Sequence, residues 1–352
     1  MAKDLNFAVV GLGMGGHHCK AIADAKGANL AAVCDIDPER LAKWAKKCDC
    51  KPYARFADVV KDKSIDVVNI VTESGYHASM GIKAARAGKH LIVEKPVDVT
   101  PARVKRLEDV VAETGVKCGC IFQSRMENCN IMIKKAIDKG RMGLVIGAHA
   151  NLPWFRADSY YEGQHGTWRG TWKLDGGGSM MNQGIHTIDL IQWLAGRVES
   201  VCGFYGAHNH NIQAEDQTVA ILKFDNGALG TFYATTCCIP EGAQRVYIYG
   251  TKGSFSRHGA TLELYEMGTP AERKRMIALF GGQKKDSAIG RDPMAVSADG
   301  HTLIIEDLVK AIRKDREPII PLSSAKHAVE IACAIYKSAR TRREVKIRDI
   351  AM

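Results

Sequence analysis

Long apolar runs are missing from this chain of 352 residues. No stretch approaches the ~20 apolar residues of a membrane span, and the opening Met1-Ala2-Lys3-Asp4-Leu5-Asn6 lacks the apolar segment of a secretory signal. No membrane partner is expected, and the expected location is cytoplasmic. The cysteines number eleven, an odd count, and the pairs Cys48/Cys50, Cys118/Cys120 and Cys237/Cys238 lack the two-residue gap of zinc ribbons. Neither structural zinc nor a disulfide framework is expected, and no ligand cluster for a metal is visible. Internal repeats and low-complexity tracts are absent. The formal net charge is +10, but the basic clusters Arg273-Lys274-Arg275, Lys284-Lys285 and Arg340 to Arg343 carry no interleaved aromatics. This excludes a nucleic-acid footprint and leaves a solvated surface that attracts anionic metabolites.

What is present is ordinary in bulk and specific in detail. Hydrophobic content of 46% and charged content of 25% suit a soluble protein, and the length suits two domains at ~100–200 residues each. Leu5–Val10 is an apolar strand candidate followed by Gly11-Leu12-Gly13-Met14-Gly15-Gly16 and a helical pattern over 17–25. In that setting Gly11 permits the tight turn, Gly13 lets the backbone approach a pyrophosphate, and Gly16 lets the helix pack on the strand. The helix N-terminus offers its free N–H groups to the phosphates, and Met14 of the turn joins the glycines as a cofactor residue. A second strand over 29–34 ends in Asp35, 19 residues after Gly16 (35 − 16), the interval of an acid that bonds the adenosine ribose and repels a 2′-phosphate. NAD is therefore expected over NADP.

A helix from Asp37-Pro38 to 47, a strand over 65–71 and a helix over 79–87 continue the alternation. Leu91-Ile92-Val93-Glu94-Lys95-Pro96 follows: three residues of a doubly buried strand, then a proline that ends pairing. This places Lys95 at a strand's carboxyl end, where open α/β sheets bind ligands. A helix from Thr100-Pro101 to Thr114 and a strand over 116–122 complete a doubly wound parallel sheet, giving a first domain of 1–122 and a second of 123–352. In the second, a helix over 130–139 precedes strands at 144–152, 198–205, 218–224, 228–236 and 245–249, with Asn226-Gly227 as a hairpin turn. The expectation is an α+β domain with a large, mostly antiparallel sheet, one face covered by helices over 303–313 and 325–338. Residues 268–300 read as loop.

Trp168-Arg169-Gly170-Thr171-Trp172, Gly176-Gly177-Gly178 and Asn182-Gln183-Gly184-Ile185-His186 with Asp189 form the second informative stretch. Asn182, His186 and Asp189 fall at i, i+4 and i+7, a polar helix face bearing a histidine, opposite an apolar face of Ile185, Ile188, Leu190, Ile191 and Leu194. It reads either as a site or as a solvated face with a structural histidine.

These motifs, in this order over nearly the whole chain, resemble the glucose-fructose oxidoreductase, inositol dehydrogenase and rhizopine-catabolism (Gfo/Idh/MocA) oxidoreductase family; Glu94-Lys95-Pro96 is the most specific of them. The resemblance implies a Rossmann domain and a larger α/β domain whose open sheet builds homodimers or homotetramers, with the active site in the cleft. It also implies oxidation of a secondary hydroxyl of a sugar, glycoside or cyclitol, or reduction of the ketone. By position, Lys95 is the signature lysine beside the nicotinamide, with Glu94 among the cofactor residues, and His186 exchanges the substrate proton. Asn182 stands where the inositol dehydrogenase type has an aspartate, which removes one titratable member of a proton relay.

The chemistry agrees with that assignment. Hydride leaves a carbinol carbon only as its hydroxyl proton is removed, so a base and a cation are required. His186 suits the first role and Lys95 the second, and a lysine beside the positive nicotinamide can exchange roles with it. Arg169, Asn182, Tyr161, Trp168, Trp154 and Tyr160 offer donors and flat faces to a sugar ring, or else are ordinary cleft wall. Two other functions fit the resemblance: a glycosidase that oxidises its sugar transiently with held NAD, and a non-catalytic sugar or NAD sensor, which would have no use for Lys95 and His186.

Overall fold

The computed structural model describes residues 3–163, 166–282 and 299–350. They form two compact units, the first of residues 3–123 and 299–326, the second of 124–163, 166–282 and 327–350.

In the first unit, β1 (Leu5–Val10), β2 (Ala28–Cys34), β3 (Lys51–Tyr53), β4 (Val67–Ile70), β5 (His90–Val93) and β6 (Cys118–Cys120) form a sheet in the order β3-β2-β1-β4-β5-β6. Every pairing is parallel. Phe7, Ile70, Leu91 and Ile92 are fully buried, as strands covered on both faces require. The order reverses between β1 and β4, so ligands are expected at the carboxyl ends of those strands. The helix Pro38–Cys48 starts where Asp37 accepts the N–H groups of Glu39 and Arg40. The helix Pro101–Thr114 runs from Thr100 to a left-handed Gly115. The three-residue β3 and the six-residue helix Phe56–Lys61 are too short for sequence periodicity to reveal them.

The helix Asp299–Arg313 packs on the helix Gly15–Asp24 and on β6, with Ile304, Ile305 and Leu308 buried. It was expected on the second sheet. An apolar stripe shows that a helix is covered, not by which surface.

In the second unit, β7 (Val145–Pro153), β8 (Val198–Gly206), β9 (Gln217–Phe224), β10 (Leu229–Thr235), β11 (Arg245–Gly250), β12 (Gly253–His258), β13 (Thr261–Glu266) and β14 (Val345–Lys346) form an eight-stranded sheet, order β13-β12-β11-β7-β10-β9-β8-β14. Only β7 with β10 is parallel among its pairs. The helix Ile185–Ala195 packs on β7, and the helix Leu322–Thr341 sets Ile335 and Ser338 against Gly203 of β8. The other face leaves Phe204, Val219, Ile221, Leu229 and Tyr249 exposed. Within the stretch read as loop, Pro270–Phe280 is a helix begun by a reciprocal Thr269/Glu272 capping box. Its weak apolar stripe, with Met276 alone buried, hid it. Residues 283–298 of that stretch lie outside the described residues, and its last two, 299 and 300, begin the helix Asp299–Arg313.

Candidate active site

The nucleotide end is built by backbone. Gly11 has φ +90°, and a Cβ there would meet the Val71 carbonyl oxygen at 2.5 Å, so only glycine makes this turn. At Gly13 a Cβ would find its nearest neighbour, Arg40 Nη1, 3.9 Å away, so the protein itself leaves that space open. Gly16 has a different partner from the expected strand: a Cβ there would overlap the Trp44 indole of the next helix. Gly15 is the residue that lies against β1: a Cβ there would stand 3.0 Å from Val9 Cγ1. The helix Gly15–Asp24 begins after Met14 with no side-chain cap, which leaves its first N–H groups to a ligand. Asp35 is buried; its Oδ2 accepts the Leu12 N–H at 2.7 Å and its Oδ1 the Asp37 N–H at 2.9 Å. Arg40 Nη1 lies 3.3 Å from Asp35 and its Nη2 3.4 Å from Asp37.

Lys95 follows β5, whose hydrogen bonding extends one step further as Glu94 N–H donates to Ile70 O at 3.0 Å. The Glu94 carboxylate turns inward. It meets His18 at 3.0 Å and accepts the Lys95 backbone N–H at 2.8 Å. His301 stands 3.6 Å away. Among the described residues two groups have metal-ligand chemistry, His18/Glu94/His301 and His210/Asp216/Cys237, and no sequence spacing reveals either. In the second group Asp216 already accepts three backbone N–H groups, and burial pushes the Cys237 thiol up to about 12, which opposes thiolate ligation.

In the second unit the glycine run leads into a π-helical turn, Ser179–Gly184, continuous with the α-helix Ile185–Ala195. A π turn takes an extra residue, so the i, i+4, i+7 alignment drawn from α geometry does not hold across it. Nor is there a solvated polar face. Of residues 175–192, His186 alone is not buried. Asp189 is 1% exposed and takes two charge-assisted hydrogen bonds from Arg125, at 2.7 and 2.5 Å. Burial raises the Asp189 pKa and the guanidinium opposes it, so this pair is a structural anchor. The glycines face protein: Cβ atoms on Gly177 and Gly178 would overlap the Tyr336 hydroxyl and the Glu215 carbonyl.

Asn182 joins a buried network. Its Nδ2 donates to Asp175 Oδ1 at 2.6 Å, and Asp175 Oδ2 accepts the Gly170 N–H at 2.7 Å. Gln183 Nε2 donates to the Tyr160 hydroxyl at 2.8 Å and to Asn182 Oδ1 at 2.9 Å; Arg156 Nη2 donates to Gln183 Oε1 at 3.0 Å. Arg169 donates to the Tyr160 carbonyl at 2.9 Å and lies over that ring at 4.2 Å. Tyr161 turns to Thr236, 3.1 Å away, and burial raises its pKa. Trp154 and Trp168 lie under Arg156 and Arg169. Sequence reasoning missed Asp175, Gln183 and Arg156. Asp175 directly before three glycines was the available signal; for the other two there was none.

The chain matches the N-terminal description "Oxidoreductase family, NAD-binding Rossmann fold" over residues 5–122 and "Oxidoreductase family, C-terminal alpha/beta domain" over 134–347. It is 27% identical to a scyllo-inositol 2-dehydrogenase (NAD(+)) of Bacillus subtilis, over 99% of this chain and 97% of that one. It is 24% identical to a levoglucosan dehydrogenase of Pseudarthrobacter phenanthrenivorans, over 91% and 90%. The crystal structure of the WlbA dehydrogenase from Bordetella pertussis, in complex with NADH and UDP-GlcNAcA, superposes with a TM-score of 0.85 at 29% identity, covering 98% of this chain and 99% of that one. With both family descriptions matched across both units, the chain belongs to the Gfo/Idh/MocA family of oxidoreductases and is an NAD-binding dehydrogenase.

Proposed function

We propose that the protein moves a hydride between NAD and a secondary hydroxyl or ketone of a sugar, glycoside or cyclitol, with Lys95 steadying the alkoxide and His186 exchanging the proton. The observation that carries this is the partial exposure of His186 within a run of eighteen residues, 175–192, whose other members are all buried. A histidine there serves proton exchange better than packing. Asn182, four residues before it, is oriented by the Asp175 carboxylate. Arg169, Tyr160 and Tyr161 supply polar edges and flat faces for a ring substrate. Alkoxide formation requires a cation, and Lys95 leaves the ligand-binding edge of the parallel sheet.

A cytoplasmic location accords with the described residues, among which no helix is long and apolar enough to cross a membrane. Self-association through the sheet face bearing Phe204, Val219, Ile221 and Leu229 accords with their exposure.

The test is incubation of purified protein and NAD with sugars, glycosides, cyclitols and nucleotide sugars while NADH absorbance is followed. NADH formed with one of these classes supports the proposal. Hydrolysis without net NADH would replace it with a redox glycosidase. With a substrate in hand, Lys95→Ala and His186→Ala should each lower turnover, the latter by ~10²–10⁴-fold. The double variant should fall well short of the product of the two losses, because both residues serve one proton and charge movement. Fully multiplicative losses would separate their roles.

A further inference from the structure

The Glu94 carboxylate gathers three distant parts of the first unit. Its Oε1 lies 3.0 Å from His18 Nε2 on the first helix and 3.6 Å from His301 Nε2 on the helix Asp299–Arg313. Its Oε2 accepts the Lys95 backbone N–H at 2.8 Å. Asn69 of β4 donates its Nδ2 to His18 Nδ1 at 3.2 Å, which leaves His18 Nε2 as the N–H that donates to Glu94. The two imidazoles meet edge to face with centroids 5.2 Å apart, and both are more than nine-tenths buried. His301 at 3.6 Å is beyond hydrogen-bond range, so its influence on Glu94 is electrostatic and steric.

A buried carboxylate stays ionised only if its neighbours compensate for lost water. Burial pushes the Glu94 pKa up, but the two histidines outweigh it and hold the group well below the usual range. On the far side of Lys95, the Pro96 carbonyl oxygen lies 2.7 Å from His77 Nδ1. Lys95 is thus tied to rigid elements on both flanks.

We propose that His18 and His301 are positioning residues for Lys95. They keep Glu94 ionised and in one rotamer, and its Oε2 fixes the Lys95 amide and with it the direction in which the lysine side chain leaves β5. This rests on the reading that Lys95 acts on the reacting oxygen. Neither histidine touches that oxygen; each acts through Glu94.

The test uses a substrate from the panel and compares His301→Ala, His301→Gln, Glu94→Gln, Lys95→Ala and the His301→Ala/Lys95→Ala pair. His301→Ala should lower kcat about tenfold, because a displacement of about 1 Å at a catalytic group can cost up to about 100-fold. NAD affinity should stay near the wild-type value. Glu94→Gln, which keeps the shape and removes the charge, should lower kcat likewise, and His301→Gln, which refills the space beside Glu94 with a polar side chain, should recover most of the loss. In the Lys95→Ala background His301→Ala should have no further effect. Unchanged kcat in His301→Ala and Glu94→Gln, with Lys95→Ala impaired, overturns the positioning role alone. An equal further loss in the Lys95→Ala background also overturns it, as a purely structural effect. Stoichiometric zinc in the purified protein, lost in His301→Ala, overturns it by making the trio a metal site. Wild-type turnover in Lys95→Ala overturns the underlying reading of Lys95 as well.

Discussion

At the scale of single residues, the glycines of the first turn separate by what each missing side chain faces. Gly13 faces open space and Gly16 faces the Trp44 ring. Gly13→Val should therefore fold with a near-normal melting temperature and lose NAD binding by calorimetry, whereas Gly16→Val should lose stability first. Unchanged NAD affinity in a folded Gly13→Val protein would reduce the loop to a turn. Asp35 is the other decisive residue. Its carboxylate binds Leu12 and Asp37 backbone groups and neutralises Arg40. A 2′-phosphate beside it should weaken NADP by ~1–3 kcal/mol, about ten- to a hundredfold, relative to NAD. Asp35→Ser removes the repulsion and frees Arg40 to meet the phosphate, so the ratio of the two dissociation constants should move toward one. A ratio that stays put would place the selectivity elsewhere.

At the scale of elements, the π-helical turn before His186 is held by Glu215. This buried carboxylate accepts the N–H groups of Gly178 at 2.9 Å, Ser179 at 3.0 Å and Met180 at 3.0 Å, the Tyr336 hydroxyl at 2.7 Å, and the Ser179 hydroxyl. It satisfies in one side chain the donors that a helix start leaves open. Removing it strands two backbone donors, those of Gly178 and Met180, away from water at about 1–3 kcal/mol each, whereas the Ser179 N–H keeps the Glu215 carbonyl oxygen at 2.9 Å. Glu215→Ala should thus cost on the order of 3 kcal/mol or more in chemical denaturation. Glu215→Gln, which retains one acceptor oxygen, should cost less. Loss below about 1 kcal/mol in the alanine variant would show that the turn is held by packing of Met180 and Met181 instead.

At the scale of the whole molecule, the large sheet has one face under helices and one bearing exposed Phe204, Val219, Ile221 and Leu229. Register places Phe204 beside Val219 and Val219 beside Tyr233, so these side chains form a continuous patch across β8, β9 and β10. If two copies cover it, Ile221→Glu should lower the mass measured by light scattering to that of a monomer, since a desolvated unpaired carboxylate is not tolerated in such an interface. A wild-type protein that is already monomeric would leave the patch to another partner.

The parallel unit was legible because its signals are local. A mostly apolar six-residue strand, a glycine-rich turn, a helical pattern and an acid at a set interval specify β1 to β2 without reference to the rest of the chain. Glu94-Lys95-Pro96 at the end of β5 is legible for the same reason. What needed the tertiary structure was every partnership over long separation. His301 reaches Glu94, Asp189 meets Arg125 rather than a ligand, and the helix Asp299–Arg313 packs on the first sheet rather than the second. Periodicity records that a face is buried or a charge is compensated, but burial and charge compensation are satisfied equally by many surfaces. Only the folded chain decides which one supplies the partner.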